Sequence, residues 1–349
     1  MRQILQFTEN ESAAKVEIES FGGRIIHQFS PIAFVAELSD DVKRSQLTES
    51  TREIPEDMDL GTKLATDAWL ENTAEGEPSP TPEEGLAWDT EGYEAPFQRE
   101  VIDNHLKNSP IGEAVALSTG TPTSLYMIGK VAVGLVIVSR DTGAEQMTTA
   151  EQTKVVQEAQ RALTWLATVE PQANVSFYYD IKPITVSTLP GPYPGTFDAY
   201  ERMEKGWRDD ALNAMGYAGG RAGYQQYTRD IIASKNTDWG YVAFFTKYEL
   251  NHFAYAIWEK VVMHYENDGW GPDLIHRVFA HESCHIFGAA DEYGSCSCGG
   301  SHGYLGIPNN NCIRCFPPGQ QIDCLMNKNT LTMCEWSKKQ IGWDTPLFP

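Results

Sequence analysis

Short runs of alternating apolar and polar positions open this chain. Gln3–Phe7 reads as a strand, and Glu9–Phe21 as a polar helix stopped by Gly22-Gly23. Arg24–Phe29 and Ile32–Leu38 read as strands flanking Ser30-Pro31. Asp40-Asp41 suits the cap of a second helix over 42–49, with Arg52–Pro55 as a last strand. That βαββαβ order predicts a small ferredoxin-like module over residues 1–58. Further along, Leu125–Ser139 and Ala173–Ile181 read as strands. Between them Thr148 and Glu151 have capping-box spacing, before a helix with Val155, Val156, Ala159, Leu163 and Leu166 on one face. Asp209–Ala233 is mostly helical in pattern, interrupted by glycines, and Trp239–Phe245 and Ala254–Met263 read as strands. The pattern as a whole is α/β (α+β), with a larger domain over residues 110–349 whose final part, 292–349, is rich in cysteine.

With 349 residues and 41% apolar side chains, the chain has enough material for two packed domains. Its longest apolar run, Val131–Val138, is too short to cross a bilayer, so no membrane span is expected. The net charge of −21 argues against nucleic acid and anionic membrane surfaces as partners. Between Glu53 and Glu94 there are 13 acidic residues against one basic residue, Lys63. With Pro78, Pro80 and Pro82 in the same stretch, residues 59–109 read as an extended, solvated linker. The N-terminus lacks the apolar core of a signal peptide, which fits either a protein that stays inside the cell or one whose signal has been removed. The cysteines pull the other way. All seven fall in the last 66 residues, which suits a cross-linked tail in an oxidising, extracellular setting. Cys296, Cys298, Cys312 and Cys315 fit either a four-thiolate zinc site or two disulfides, and Cys324 and Cys334 form a further pair.

The chemistry lies just before that tail. Asp273 suits the cap of a helix over 274–285 that carries His281, Glu282 and His285. His281 and His285 are one turn apart on one helix face, so both imidazoles reach a single ion. Glu282 projects about 100° around the helix from His281, beside that ion, where it can take a proton from a metal-activated water. Gly288 then permits the left-handed turn that ends the helix, and three residues later Asp291 comes back as a third, anionic ligand. Zinc suits such a ligand set.

Two family resemblances follow. Residues 281–291, His-Glu-Ser-Cys-His-Ile-Phe-Gly-Ala-Ala-Asp, resemble the metzincin zinc signature, with aspartate where most metzincins have a third histidine. Snapalysin-like metzincins carry aspartate there and a tyrosine two residues on, matched by Tyr293. The resemblance implies a metzincin-like catalytic domain and a zinc endopeptidase acting on protein or peptide substrates, with Glu282 as general base. It also implies a methionine turn beneath the metal, for which Asp323–Asn327 supplies Met326, bracketed by Cys324 and Cys334. Lys328 stands where some members add a ligand tyrosine. Separately, Phe21–Phe29 followed by Ala33–Leu38 resembles the propeptide/inhibitor domains that precede subtilisin-like proteases. That resemblance implies a module packed on its own catalytic domain in a monomer.

Other residues invite functional readings beside plainer ones. Cys284 is expected as a small buried thiol, His264 and His276 as ordinary histidines flanking the site, and Glu292 as a carboxylate outside the ligand set. Asn309–Asn311 could support calcium or form a turn. Tyr255 and Ile257 lie on a strand that could receive an extended peptide. Asp89, Glu91 or Glu94, anchored by Trp88, Tyr93 and Phe97, could cross the cleft and hold a zymogen latent, a solvated tether being the plainer alternative.

Overall fold

The computed structural model describes residues 1–51, 53–75, 81–96, 122–196, 198–317 and 319–345. Mixed α/β architecture is built on one large sheet. Strands β1 (Arg2–Phe7), β2 (Arg24–Ser30), β3 (Ala33–Leu38), β4 (Lys130–Arg140), β5 (Ser176–Val186), β6 (Trp239–Thr246), β7 (Ala254–Ile257) and β8 (Lys260–His264) lie in the order β1-β3-β2-β5-β4-β6-β8-β7. The centre, from β2 to β8, is parallel, and the outermost pairs at both ends are antiparallel. A parallel centre must be covered on both faces, and β4 shows how. Its Val131, Val133, Leu135 and Ile137 face one apolar cluster, while Ala132, Val136 and Val138 face another.

Seven α-helices are present among the described residues. Helices α2 (Leu60–Glu75), α3 (Thr149–Thr168) and α6 (Ile275–Ile286) cover the first face. Helices α4 (Ala199–Ala214) and α5 (Gly220–Lys235) cover the second. Helix α1 (Glu11–Ser20) closes a third cluster over β1 and β3, and α7 (Glu335–Gln340) lies near the C-terminus. The α3 capping box forms as its spacing requires: Thr148 Oγ1 accepts the Glu151 N–H (3.2 Å), and the Glu151 carboxylate accepts that of Thr148 (2.7 Å).

Several elements depart from their patterns. The stretch 42–49 holds only a 3₁₀ turn, Arg44–Gln46, and 53–55 form no strand; Thr51 makes one isolated bridge to Phe7, while Arg52 lies outside the described residues. The first three strands are spliced onto the main sheet, where β2 pairs in parallel with β5. Asp209–Ala233 is two helices, separated where Gly216 takes a positive φ of 89°. Ala254–Met263 is a hairpin, β7 and β8, turning at Trp258 with φ 53°.

The expected solvated linker is the largest difference. Residues 60–75 form α2, which buries Leu64, Ala65, Ala68 and Trp69 while Lys63 pairs with Asp67 on the outside. Acidic residues crowd the outer face and hide that narrow apolar stripe from a charge count. Gln160 of α3 donates to the Ala65 carbonyl (2.7 Å), which fixes the helix pair. The proposed boundary near 110 falls in 97–121, outside the described residues.

His27 ties the N-terminal strands to this frame. Its ring nitrogens hydrogen-bond with Thr164 of α3 (2.8 Å) and Tyr179 of β5 (3.0 Å), and it is fully buried. Burial, aided by the positive charge of Arg24, pushes its pKa down to about 3. An unfolded chain protonates this histidine near pH 6.5, whereas the folded one resists until about 3. Its contribution is therefore complete above pH 6.5 and declines as the pH falls, by up to about 1.4 kcal/mol per pH unit. Thermal unfolding followed from neutral to mildly acidic pH should lose stability less steeply in His27→Gln than in wild type. Identical slopes would contradict this assignment.

Candidate metal centre

Every residue of α6 is buried, so its first N–H groups need partners from the protein. Asp273, expected as the cap, sits in a 3₁₀ turn and pairs with Lys154 (2.6 Å) instead. Glu158 of α3 takes over: one oxygen accepts the His276 N–H (3.1 Å) and lies 2.6 Å from that ring's Nδ1. A carboxylate at a helix N-terminus is electrostatically favourable. Lys154 and Arg161 hold Glu158 from its other side. His276 thus faces α3, and His264 bonds to the Lys247 carbonyl (3.3 Å).

At the other end of α6 the chain reverses. Gly288 has φ 98°, and an added Cβ would lie 2.5 Å from the Gly303 Cα. The Ala289 N–H returns to the Cys284 carbonyl (3.1 Å), which closes the turn. The reversal brings Asp291 back against the helix. One of its oxygens lies 3.2 Å from Nε2 of both His281 and His285, and those two nitrogens are 3.0 Å apart.

The opposite ring nitrogens set the chemistry. His281 Nδ1 bonds to the Leu325 carbonyl (3.0 Å), and His285 Nδ1 to the Ala289 carbonyl (2.8 Å). A carbonyl only accepts, so each Nδ1 carries a proton and a neutral ring presents a lone pair at Nε2. Two lone pairs and a carboxylate oxygen thus converge in a buried space. Burial disfavours charge on His285, but Asp291 more than offsets this and raises its pKa to about 9. Burial pushes Asp291 upward, yet the two imidazoles beside it, His285 foremost, bring it down to about 2. Negative charge is held there only beside positive charge.

Glu282 is fully buried beside this cluster, and burial pushes its pKa up to about 8, against the pull of His285. Among the described residues neither of its oxygens has a hydrogen-bond partner of ordinary geometry, although the Ala256 main chain on β7 is near enough to favour its charged form. Strand β7 is the sheet edge on this side. Ala254 and Ala256 face the α6 cluster, whereas Tyr255 and Ile257 face the opposite one, where Tyr255 donates to Glu204 (2.7 Å).

Glu292, Cys324 and Cys334 also bring ligand atoms within 4.8 Å of one another. Here the polar groups already satisfy each other. Glu292 bonds through one oxygen to Cys334 (2.9 Å) and Ser337 (2.8 Å), and through the other to Asn311 (2.6 Å) and Asn327 (2.9 Å). The cluster coheres without an ion. Cys324 and Cys334 are unbonded thiols rather than a third disulfide, with the Cys334 N–H donating to Cys324 Sγ (3.3 Å). Disulfides join Cys296 to Cys312 and Cys298 to Cys315, which decides against a four-thiolate site. Cys284 is a buried thiol whose pKa burial pushes upward.

The loop that carries Asp291 is braced from several sides. Asn309 donates to the Asp291 carbonyl (2.7 Å), and the Met326 carbonyl accepts the Glu292 N–H (2.9 Å). Met326 itself is buried in a tight turn in which the Asn327 N–H returns to the Cys324 carbonyl (2.9 Å). The Tyr293 hydroxyl lies between the Asp291 carboxylate and the Pro96 carbonyl. Residues 81–96 therefore pass beside the centre. Asp89 and Glu91 are exposed, and Glu94 lies 2.9 Å from His252, so none of these carboxylates joins the three-acceptor cluster. Phe97 lies outside the described residues. Glu158 and the Leu325 carbonyl carried no signal in the sequence, since both act across more than forty positions.

Neither the known protein families nor the curated protein sequences contain a match to this chain.

Gly288→Ala should reduce metal affinity by more than tenfold and lower the melting temperature, because the turn that returns Asp291 is both left-handed and in contact with Gly303. Zinc titration and thermal melts measure both. Unchanged affinity would separate the turn from the ligand geometry.

Proposed function

We propose that this protein is a zinc-dependent endopeptidase of metzincin-like design, with His281, His285 and Asp291 as metal ligands and Glu282 as general base. The observation that carries the proposal is the convergence of three buried acceptors, two imidazole nitrogens and a carboxylate oxygen, all within 4.8 Å of one another. Two neutral imidazoles and one carboxylate suit zinc by type and number, and leave a position open. Zinc bound there would acidify a water and polarise a scissile carbonyl.

The chain's own residues supply the rest. The Leu325 and Ala289 carbonyls fix both imidazoles in the tautomer that offers Nε2. Glu282, buried beside the three acceptors, is poised to take the proton of the attacking water and pass it to the leaving amine. Among the described residues β7 is the outermost strand and lies beside Glu282, and an extended peptide pairing along it would place its carbonyl near the centre. The Asp291–Tyr293 spacing favours the snapalysin-like branch of that design. The β1-α1-β2-β3 leaf retains the order of the inhibitor-like module through its first four elements, and its place in the main sheet makes it a part of the folded enzyme.

Casein digestion by wild type and Glu282→Ala, with zinc analysis of both, tests the assignment. Wild type should digest casein with about one zinc per chain. The variant should keep its zinc and lose activity by roughly 10²–10⁴-fold, the usual contribution of a positioned base. Zinc in both proteins with proteolysis in neither would overturn the enzyme assignment.

A further inference from the structure

We infer that Trp88 is a positioning residue for the metal ligand His281, acting through the Leu325 carbonyl, and that residues 81–96 are a built-in wall of the centre. The inference rests on the reading of His281, His285 and Asp291 as zinc ligands. Its geometry is direct. The Leu325 oxygen accepts two hydrogen bonds, from Trp88 Nε1–H (2.6 Å) and from His281 Nδ1–H (3.0 Å). The indole also packs edge-on against the His281 imidazole, with ring centres 5.4 Å apart. Trp88 is fully buried.

A carbonyl has two lone pairs, and both are used here. The histidine takes one, and the indole takes the other and stops the peptide plane from swinging. Groups that orient a ligand's far nitrogen ordinarily tune metal affinity about 10–100-fold. The segment that delivers Trp88 is firmly attached. Gly85 donates to the Asn329 carbonyl (2.7 Å), Asn329 to that of Leu86 (2.8 Å), and Trp88 to that of Asn327 (3.2 Å). Residues 85–88 thus lie antiparallel to 327–329, joined by one isolated bridge, Ala87 to Lys328, beside the turn that contains Met326. On its far side Trp88 meets Trp270 (5.0 Å), which in turn stacks with Tyr93 (4.4 Å). A segment held this way is architecture, and removing it would strip His281 of its orientation.

The test uses the full chain and two buried tryptophans. Trp88→Phe loses an N–H and some ring volume. Trp270→Phe loses the same, since its indole N–H donates to the Glu94 carbonyl (3.0 Å) away from Leu325. Zinc affinity is measured by competition with a chromophoric chelator, and ligand geometry by the visible absorption of the cobalt(II) form. Trp88→Phe should bind zinc about tenfold more weakly and shift the cobalt bands, while Trp270→Phe, which keeps an aromatic ring against Trp88 and leaves the Leu325 carbonyl's bonds intact, should lose much less. If Trp88→Phe does not fold, 3-benzothienylalanine at position 88 removes the N–H at nearly constant volume and should give the same loss. Equal affinities in wild type and either Trp88 replacement would overturn the inference, as would equal losses in the Trp88 and Trp270 variants. A wild-type chain that binds no zinc would instead overturn the metal assignment on which the inference stands.

Discussion

Two imidazole nitrogens and a carboxylate oxygen, each presenting lone pairs, meet within 3.2 Å of one another in the interior. Such a meeting is repulsive unless positive charge sits among them, as a proton or as a metal ion. Much of the local structure serves to hold the three together. Helix α6 is buried along its whole length so that two of its turns can aim inward. Its exposed-dipole end is satisfied by a carboxylate borrowed from α3, and its other end turns at the one glycine whose backbone touches Gly303.

The same constraint explains the polar interior around the centre. Glu292 follows Asp291 directly and fastens to Asn311, Asn327, Cys334 and Ser337, which joins the ligand loop to the turn at Met326 and to α7. That web is fully paired, whereas among the described residues the Glu282 carboxylate has only the Ala256 main chain close to it. In a dry interior the contrast is chemically informative. A satisfied carboxylate is a structural joint, and one left without such partners beside three converging acceptors marks a candidate functional group.

Local features were legible in the sequence. The i, i+4 histidines, the intervening glutamate and the Gly288 turn are short-range geometry, and they stand in the structure at their expected spacings. The central strands and the α3 capping box were legible for the same reason. Long-range features were not. Asp273 looked like a cap because caps are usually local, and Glu158 won because α3 crosses the start of α6. Residues 60–75 read as tether because thirteen acidic side chains between Glu53 and Glu94 outweigh a stripe of four apolar residues in any average, though that stripe decides the packing. Cys324 and Cys334 looked like partners by spacing, and hydrogen bonding to Glu292 and Ser337 accounts for them instead. The Leu325 carbonyl is main chain, and no side-chain pattern announces it.

The parallel pairing of β2 with β5 carries a consequence for how the chain is made. His27 lies opposite Phe177, 150 positions later. The leaf of β1, β2 and β3 forms from contacts within its first 38 residues, yet one edge of β2 stays open until β5 has been synthesised. At about 5–20 residues per second a ribosome needs on the order of ten seconds to cover that distance. Through that interval a finished, hydrogen-bond-hungry edge waits in the open, the kind of surface on which strands of neighbouring chains pair wrongly. Contacts of such long sequence separation also slow folding. Recovery of this protein should therefore depend more on the conditions under which it emerges than on the stability of the finished sheet.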